Sequence, residues 1–144
     1  MTHEATRMTV TQLAPRNIRP FLLAGKAIFT VKNSQTGRRF TFRIQTCKEN
    51  PALFFVAVLA GADNETDYQY LGTIHQDRYT YGRKSRIGEQ AFSAQAFQWV
   101  WTHIDRLPGC IQVCHAGRCG RCGRLLTVPE SLEQGFGPEC VQKV

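Results

Sequence analysis

The fold is decided by residues 26–45, KAIFTVKNSQTGRRFTFRIQ. Ala27, Phe29 and Val31 alternate with Ile28 and Thr30, and Phe40, Phe42 and Ile44 alternate with Thr41, Arg43 and Gln45. Successive side chains on a strand point to opposite faces, so two period-two runs joined by the turn-rich Asn33-Ser34-Gln35-Thr36-Gly37 predict a β-hairpin. Working outward, Leu53 to Leu59 is short and continuously apolar, as expected of a central strand covered on both faces. An acidic loop from Gly61 to Asp67 leads into Tyr68 to Ile74, and Gln76-Asp77 turns the chain into Arg78 to Tyr81. About five antiparallel strands in meander order are therefore expected.

After Gly88 the period changes. Phe97, Val100, Trp101 and Ile104 fall at i, i+3, i+4 and i+7, one face of a helix that Ser93 could cap and Pro108-Gly109 would end. Trp99 and His103 lie off this stripe and fit a broad core face with a polar edge. A helix with such a stripe packs on the sheet, which makes residues 21–109 an α+β unit. Residues 1–20 mix Thr, Pro and Arg without a repeating apolar pattern and read as a flexible arm. Residues 110–144 stand apart as a small module rich in cysteine.

The chain has 144 residues, 18 basic and 11 acidic, for a formal charge of +7. Residues 1–50 hold nine basic and two acidic residues, so the whole excess sits in that segment; in the remainder nine basic and nine acidic residues cancel. A basic surface attracts nucleic acid or an acidic partner. The longest apolar run, Ala52 to Ala60, falls well short of the roughly 20 residues needed to span a bilayer. No basic and apolar secretion signal opens the sequence, so a reducing cytoplasm is the expected compartment.

Five of the six cysteines, Cys110, Cys114, Cys119, Cys122 and Cys140, fall within 31 residues. In a reducing compartment that density favours metal binding over disulfides. Cys119-Gly120-Arg121-Cys122-Gly123-Arg124 is a C-x-x-C turn that aims two thiolates at one ion, and Gly123 frees the backbone for it. A redox reading of C-x-x-C needs a thioredoxin-like βαβ setting, which is missing. Cys140 follows Gly137-Pro138, where a short helix can begin, and supplies a third thiolate. The fourth ligand of a closed tetrahedral zinc site is His115 or Cys114. They point to opposite faces of an extended segment, and His115 is preferred because Ile111 and Val113 share its face. Between the ligands, Thr127-Val128-Pro129-Glu130 reads as a capping box opening a short helix that Gly135 stops. The module is thus a knuckle followed by two short helices, treble-clef-like in outline, with a structural Zn²⁺. The about 10–16 kcal/mol of such a site is comparable to the stability of a small domain.

The run from His115 to Cys140, with its H-x3-C-x2-C-G-R, T-x-P-x-S and closing G-x-G-P-x-C, resembles the C-terminal signature of a family of uncharacterised phage and prophage proteins. Asp67 to Gly72 and the helix from Phe97 to His103 resemble it too. The resemblance implies zinc at His115, Cys119, Cys122 and Cys140, and an origin in a mobile element acting in the cytoplasm of a bacterial host.

Two binding surfaces are candidates. Arg118, Arg121 and Arg124 recur at every third residue around the knuckle, where they could contact phosphates or form a solvated rim that offsets the thiolates. Tyr79 and Tyr81 share one strand face and precede Arg83, Lys84 and Arg86, an arrangement in which bases could stack on rings while cations hold the backbone, or in which the rings pack at the core edge with a basic loop beyond, the latter slightly favoured. No G-x-S-x-G, phosphate-binding glycine loop, H-E-x-x-H or deaminase H-x-E with P-C-x-x-C is present. The expectation is a non-enzymatic zinc-binding protein without a small-molecule substrate or membrane attachment. It would bind nucleic acid or a nucleoprotein complex through a basic surface; the alternative is an anti-CRISPR-like phage inhibitor that binds a host defence complex.

Overall fold

A computed structural model describes residues 11–61, 66–126 and 129–143 of the chain. The strands are β1 (Thr11–Gln12), β2 (Lys26–Asn33), β3 (Arg39–Thr46), β4 (Leu53–Leu59), β5 (Tyr68–His75), β6 (Arg78–Tyr81) and β7 (Ile111–His115). The helices are α1 (Pro15–Leu22), α2 (Phe92–Thr102) and α3 (Pro129–Gln134), with a 3₁₀ turn over Cys140–Lys143. The fold is α+β: the strands form one antiparallel sheet in the order β1-β7-β2-β3-β4-β5-β6.

The five-strand meander is present as β2 to β6, and its turns use the expected residues. Asn33 Oδ1 accepts from the amides of Gln35 and Thr36, and Gln76 and Asp77 take φ of 53° and 64°, the left-handed pair that a tight hairpin requires. The two further strands are corrections. Residues 11–20, expected to be an arm, instead form β1 and most of α1; residues 1–10, with the rest of that arm, lie outside the described residues. Ile18, Phe21 and Leu22, at i, i+3 and i+4, are the buried face of α1, which tolerates Pro15 because the first turn has no partner for its missing N–H.

β7 is the second correction. It pairs Phe29 with His115 and Val31 with Val113, so Ile111–His115, expected to belong to a separate module, form a strand of the main sheet. One continuous core joins α1, α2, β2 to β5, β7 and the cysteine-bearing tail, including Phe21, Phe42, Phe97, Cys119, Phe136 and Cys140. α2 packs as its stripe predicts, with Phe97 5.2 Å from Phe42 and 4.9 Å from Tyr79 between ring centres. Its N-cap is Ala91 without a side-chain cap, so Ser93 lies inside the helix. Trp99 stays partly exposed and stacks on His103 at 4.2 Å.

The register separates the two faces of the sheet. Ala27, Phe29, Val31, Phe42, Ile44, Val56 and Val58 point to the helices and are buried. Lys26, Ile28, Thr30, Lys32, Arg39, Thr41, Arg43 and Phe55 point the other way. Phe55 is 41% exposed there while Ala57 on the same face is buried, so β4 is covered on its helix side and only in part on the other. A bulge between β4 and β5 inserts Leu71, with Val56 opposite Gly72 and Ala57 opposite Tyr70. This extra residue switches the alternation, burying Leu71 and bringing Tyr68 and Tyr70 to the open face.

Candidate metal centre and open sheet face

The knuckle is built by backbone bonds that its sequence permits. The Cys119 amide donates to Arg124 O at 2.8 Å, Gly123 N donates to Cys119 O at 2.9 Å, and Arg118 bridges Leu125. Gly123 takes a φ of 81°, so a glycine closes this turn at little cost. The knuckle is then tied down: Gly120 donates to Gly135 O and accepts from the Lys26 amide at the start of β2. Gly120 and Gly135 both lie against the Phe21 ring so closely that a Cβ on either would collide with it. α3 ends at Gly135, whose φ is 83°, as the sequence suggests; Thr127 and Val128 of the proposed capping box lie outside the described residues.

These ties bring Cys119, Cys122 and Cys140 together, with their sulfurs within 4.8 Å of one another, close enough to hold a metal ion. Cys119 and Cys140 are buried and Cys122 is exposed. Burial alone would push the Cys119 thiol up, but the amides of Gly137, Cys122 and Arg121 and the Cys122 side chain outweigh it and bring it down to about 7. Burial pushes the Cys140 thiol up, opposed by Arg121, whose Nη1 donates to its sulfur at 3.6 Å. A cavity of about 580 Å³ opens beside the cluster, lined by Arg121, Arg124, Glu139 and two of the cysteines.

His115 is not brought to the thiols. It is 1% exposed, its Nε2 donates to Leu132 O at 2.6 Å, and its Nδ1 accepts from the Gly117 amide at 3.0 Å. Both ring nitrogens are committed, which fixes a neutral tautomer; burial also lowers its proton affinity, with the Leu132 bond opposing. His115 therefore braces the knuckle against α3. Cys114 is on the other face of β7, opposite Thr30, and is itself buried, which pushes its thiol up, partly offset by Lys32. The face assignments of both residues follow the strand alternation as read from sequence; the distance to the thiols does not.

Of the knuckle cations, Arg118 donates to Gly123 O at 3.1 Å and Arg121 to Cys140 Sγ, so both serve the knuckle itself, while Arg124 is exposed at the cavity. For the tyrosine pair the structure takes the core-edge reading and corrects the base-stacking one. Tyr79 and Tyr81 do share a face, but it is the helix side: Tyr79 packs on Phe97, and the Tyr81 hydroxyl donates to Ile87 O. Neither presents a ring for stacking. Arg83, Lys84 and Arg86 are exposed just beyond Gly82, and the ring lying over Gly82 is Tyr70.

Sequence reading also missed the open face. Lys26, Lys32, Arg39, Arg43 and Arg78 all project from it, and no Asp or Glu occurs in any of the strands. The two ion pairs among the described residues both belong to Arg19, to Asp77 and Asp105. Alternation carried this signal, because Lys26 and Lys32 are in phase with Ile28 and Thr30 and out of phase with the inward Ala27, Phe29 and Val31.

No helix among the described residues is long and apolar enough to cross a membrane. Searches of curated proteins and of solved structures gave no match. Residues 115–144, the segment that carries all three clustered thiols, match the model of a family of unknown function (DUF6011).

Proposed function

We propose that the protein is a non-enzymatic nucleic-acid-binding protein whose cysteine cluster holds a structural zinc ion. Zn–S bonds of about 2.3 Å place the sulfurs of a tetrahedron about 3.8 Å apart, so the three thiols fit zinc after shifts of an ångström or less. Cys119, Cys122 and Cys140 would hold the ion, and a fourth donor outside this cluster would complete it. The ion would supply no chemistry beyond crosslinking the knuckle to the 3₁₀ turn, in the outline of a treble clef.

The observation that carries the binding function is the open sheet face: five cations and no strand-borne carboxylate. Lys32 stands directly opposite Arg39, an arrangement that costs stability unless an anion lies between them. Phosphates are such anions. Lys26 continues the face to the knuckle, its stem lying near Gly123. The test is fluorescence anisotropy with a labelled oligonucleotide over a salt series. Each phosphate contact contributes about −0.7 to the slope of log K against log salt for a single strand, so five contacts give about −3.5. Replacing Arg39, Arg43 and Arg78 with alanine is expected to flatten the slope by about 2. Salt-insensitive binding, or capture of a host protein complex after nuclease treatment in place of nucleic acid, would overturn the reading.

A further inference from the structure

We infer that the open sheet face takes single strands in preference to duplex, with bases stacked on Phe55 and Tyr70 and phosphates held by the surrounding cations. This rests on the nucleic-acid reading above and narrows it to a ligand class and a site.

The two rings are the large aromatic side chains most exposed on this face, 41% for Phe55 and 36% for Tyr70, and their centres are 6.4 Å apart on neighbouring strands. Both helices that cover the sheet lie on its other side, packed on Ile18, Phe21, Phe97 and Val100. An isolated exposed aromatic needs no explanation. A ring pair in the middle of a cationic sheet does, because only the bulge at Leu71 brings Tyr70 out to stand beside Phe55. Tyr70 is then held from below by Gly82, where any side chain would collide with the ring, and its own carbonyl accepts from the Ser85 hydroxyl at 2.7 Å. The ring is thus fixed at one edge by the loop that carries Arg83, Lys84 and Arg86.

On the next positions, Arg43 lies over the Tyr68 ring at 4.5 Å, which keeps one guanidinium on the face beside the aromatic pair. Rings serve bases only when those bases are unstacked, whereas cations serve either form of nucleic acid. An aromatic pair edged by Arg43 on one side and the basic loop on the other is therefore a single-strand platform. The same chemistry suits DNA and RNA.

The experiment compares anisotropy of labelled oligothymidylate, oligouridylate and a DNA duplex of equal length with the wild-type chain, Phe55→Ala, Tyr70→Leu and the double variant. Thermal melts establish that each variant is folded. The expected result is tighter binding of the single strands by the wild type, a loss of about 10- to 100-fold for each ring removed, and unchanged duplex binding. Equal affinity of the double variant and the wild type for single strands would overturn the platform while salt-sensitive wild-type binding upheld the broader function. A wild-type chain that binds none of the probes would sink both. The ratio of oligothymidylate to oligouridylate binding distinguishes DNA from RNA as the ligand.

Discussion

Replacement of His115 by alanine separates a brace from a metal ligand. In the structure the imidazole satisfies two backbone groups, the Gly117 N–H and the Leu132 carbonyl, and packs 5.5 Å from the Phe21 ring. Leaving each group without a partner costs about 1–3 kcal/mol, so the pair costs about 2–6 kcal/mol before lost packing is counted. Native domains have about 5–15 kcal/mol in all. With about 3 °C of melting temperature lost per kcal/mol for a chain of this size, His115→Ala is expected to melt 6 to 18 °C lower. Metal content after dialysis should nevertheless equal that of the wild type, and the midpoint of a chelator competition should not move. Cys122→Ser should show the opposite pattern, with the metal lost. His115→Gln supplies one amide donor and one acceptor and should recover part of the stability. If His115→Ala and His115→Gln both lose metal as readily as Cys122→Ser, the imidazole is the fourth ligand and the brace is an arrangement adopted without it.

Other expectations follow from the same contacts. Lowered proton affinity of the buried His115 means that the unfolded chain binds the proton more readily, so its contribution to stability is present above about pH 6.5 and is lost as pH falls toward the lower folded value; denaturant titrations from pH 7.5 to 5 should show that slope reduced in His115→Gln. Tyr79→Phe removes a buried hydroxyl that has no partner and should be neutral or stabilising by about 1 kcal/mol, with no change in oligonucleotide affinity, in contrast to Tyr70. Gly135→Ala must hold a φ of 83° and drive a methyl into Phe21, and should cost about 2–4 kcal/mol in chemical denaturation. Removing the metal with a chelator should loosen α1 as well as the tail, because Phe21, Phe136, Cys119 and Cys140 share one core; hydrogen exchange at Phe21 and Leu22 would read this, and protection there unchanged by chelation would contradict it.

Local pattern made most of the meander legible. Alternation fixed the inward set Ala27, Phe29, Val31, Phe42 and Ile44, and the turn at Gln76-Asp77 was visible because it is two residues long. The C-x-x-C identified two of the clustered thiols because its spacing is a local property of the chain, and the third, Cys140, was marked by the Gly137-Pro138 that precedes it. What was hidden is non-local or irregular. The pairing of β7 with β2 joins residues 78 to 86 positions apart and leaves no mark in either segment beyond alternation. The bulge at Leu71 depends on how β5 fits β4, so the tyrosines of β5 could not be assigned to a face. Tyr79 and Tyr81 share a face as alternation requires, but which side of the sheet it is depends on the pairing of β6 with β5, where Tyr79 stands opposite the buried Ile74. α1 was obscured by Pro15 and Pro20, although Ile18, Phe21 and Leu22 had helical spacing throughout. His115 shows that sharing a face with the right neighbours does not bring a side chain to a site.

The position of β7 has a consequence for how the protein is made. On the ribosome β2 emerges early, but the strand that caps its edge is complete only at His115, and the thiol that closes the cysteine cluster comes later still. Until then the growing meander exposes the hydrogen-bonding edge of β2, a template to which another nascent chain can add a strand. A release of the chain before residue 111 would leave that edge permanently open. Synthesis through Cys140 therefore does more than bring the third thiol to the cluster: from His115 onward the edge of β2 is no longer free for such pairing.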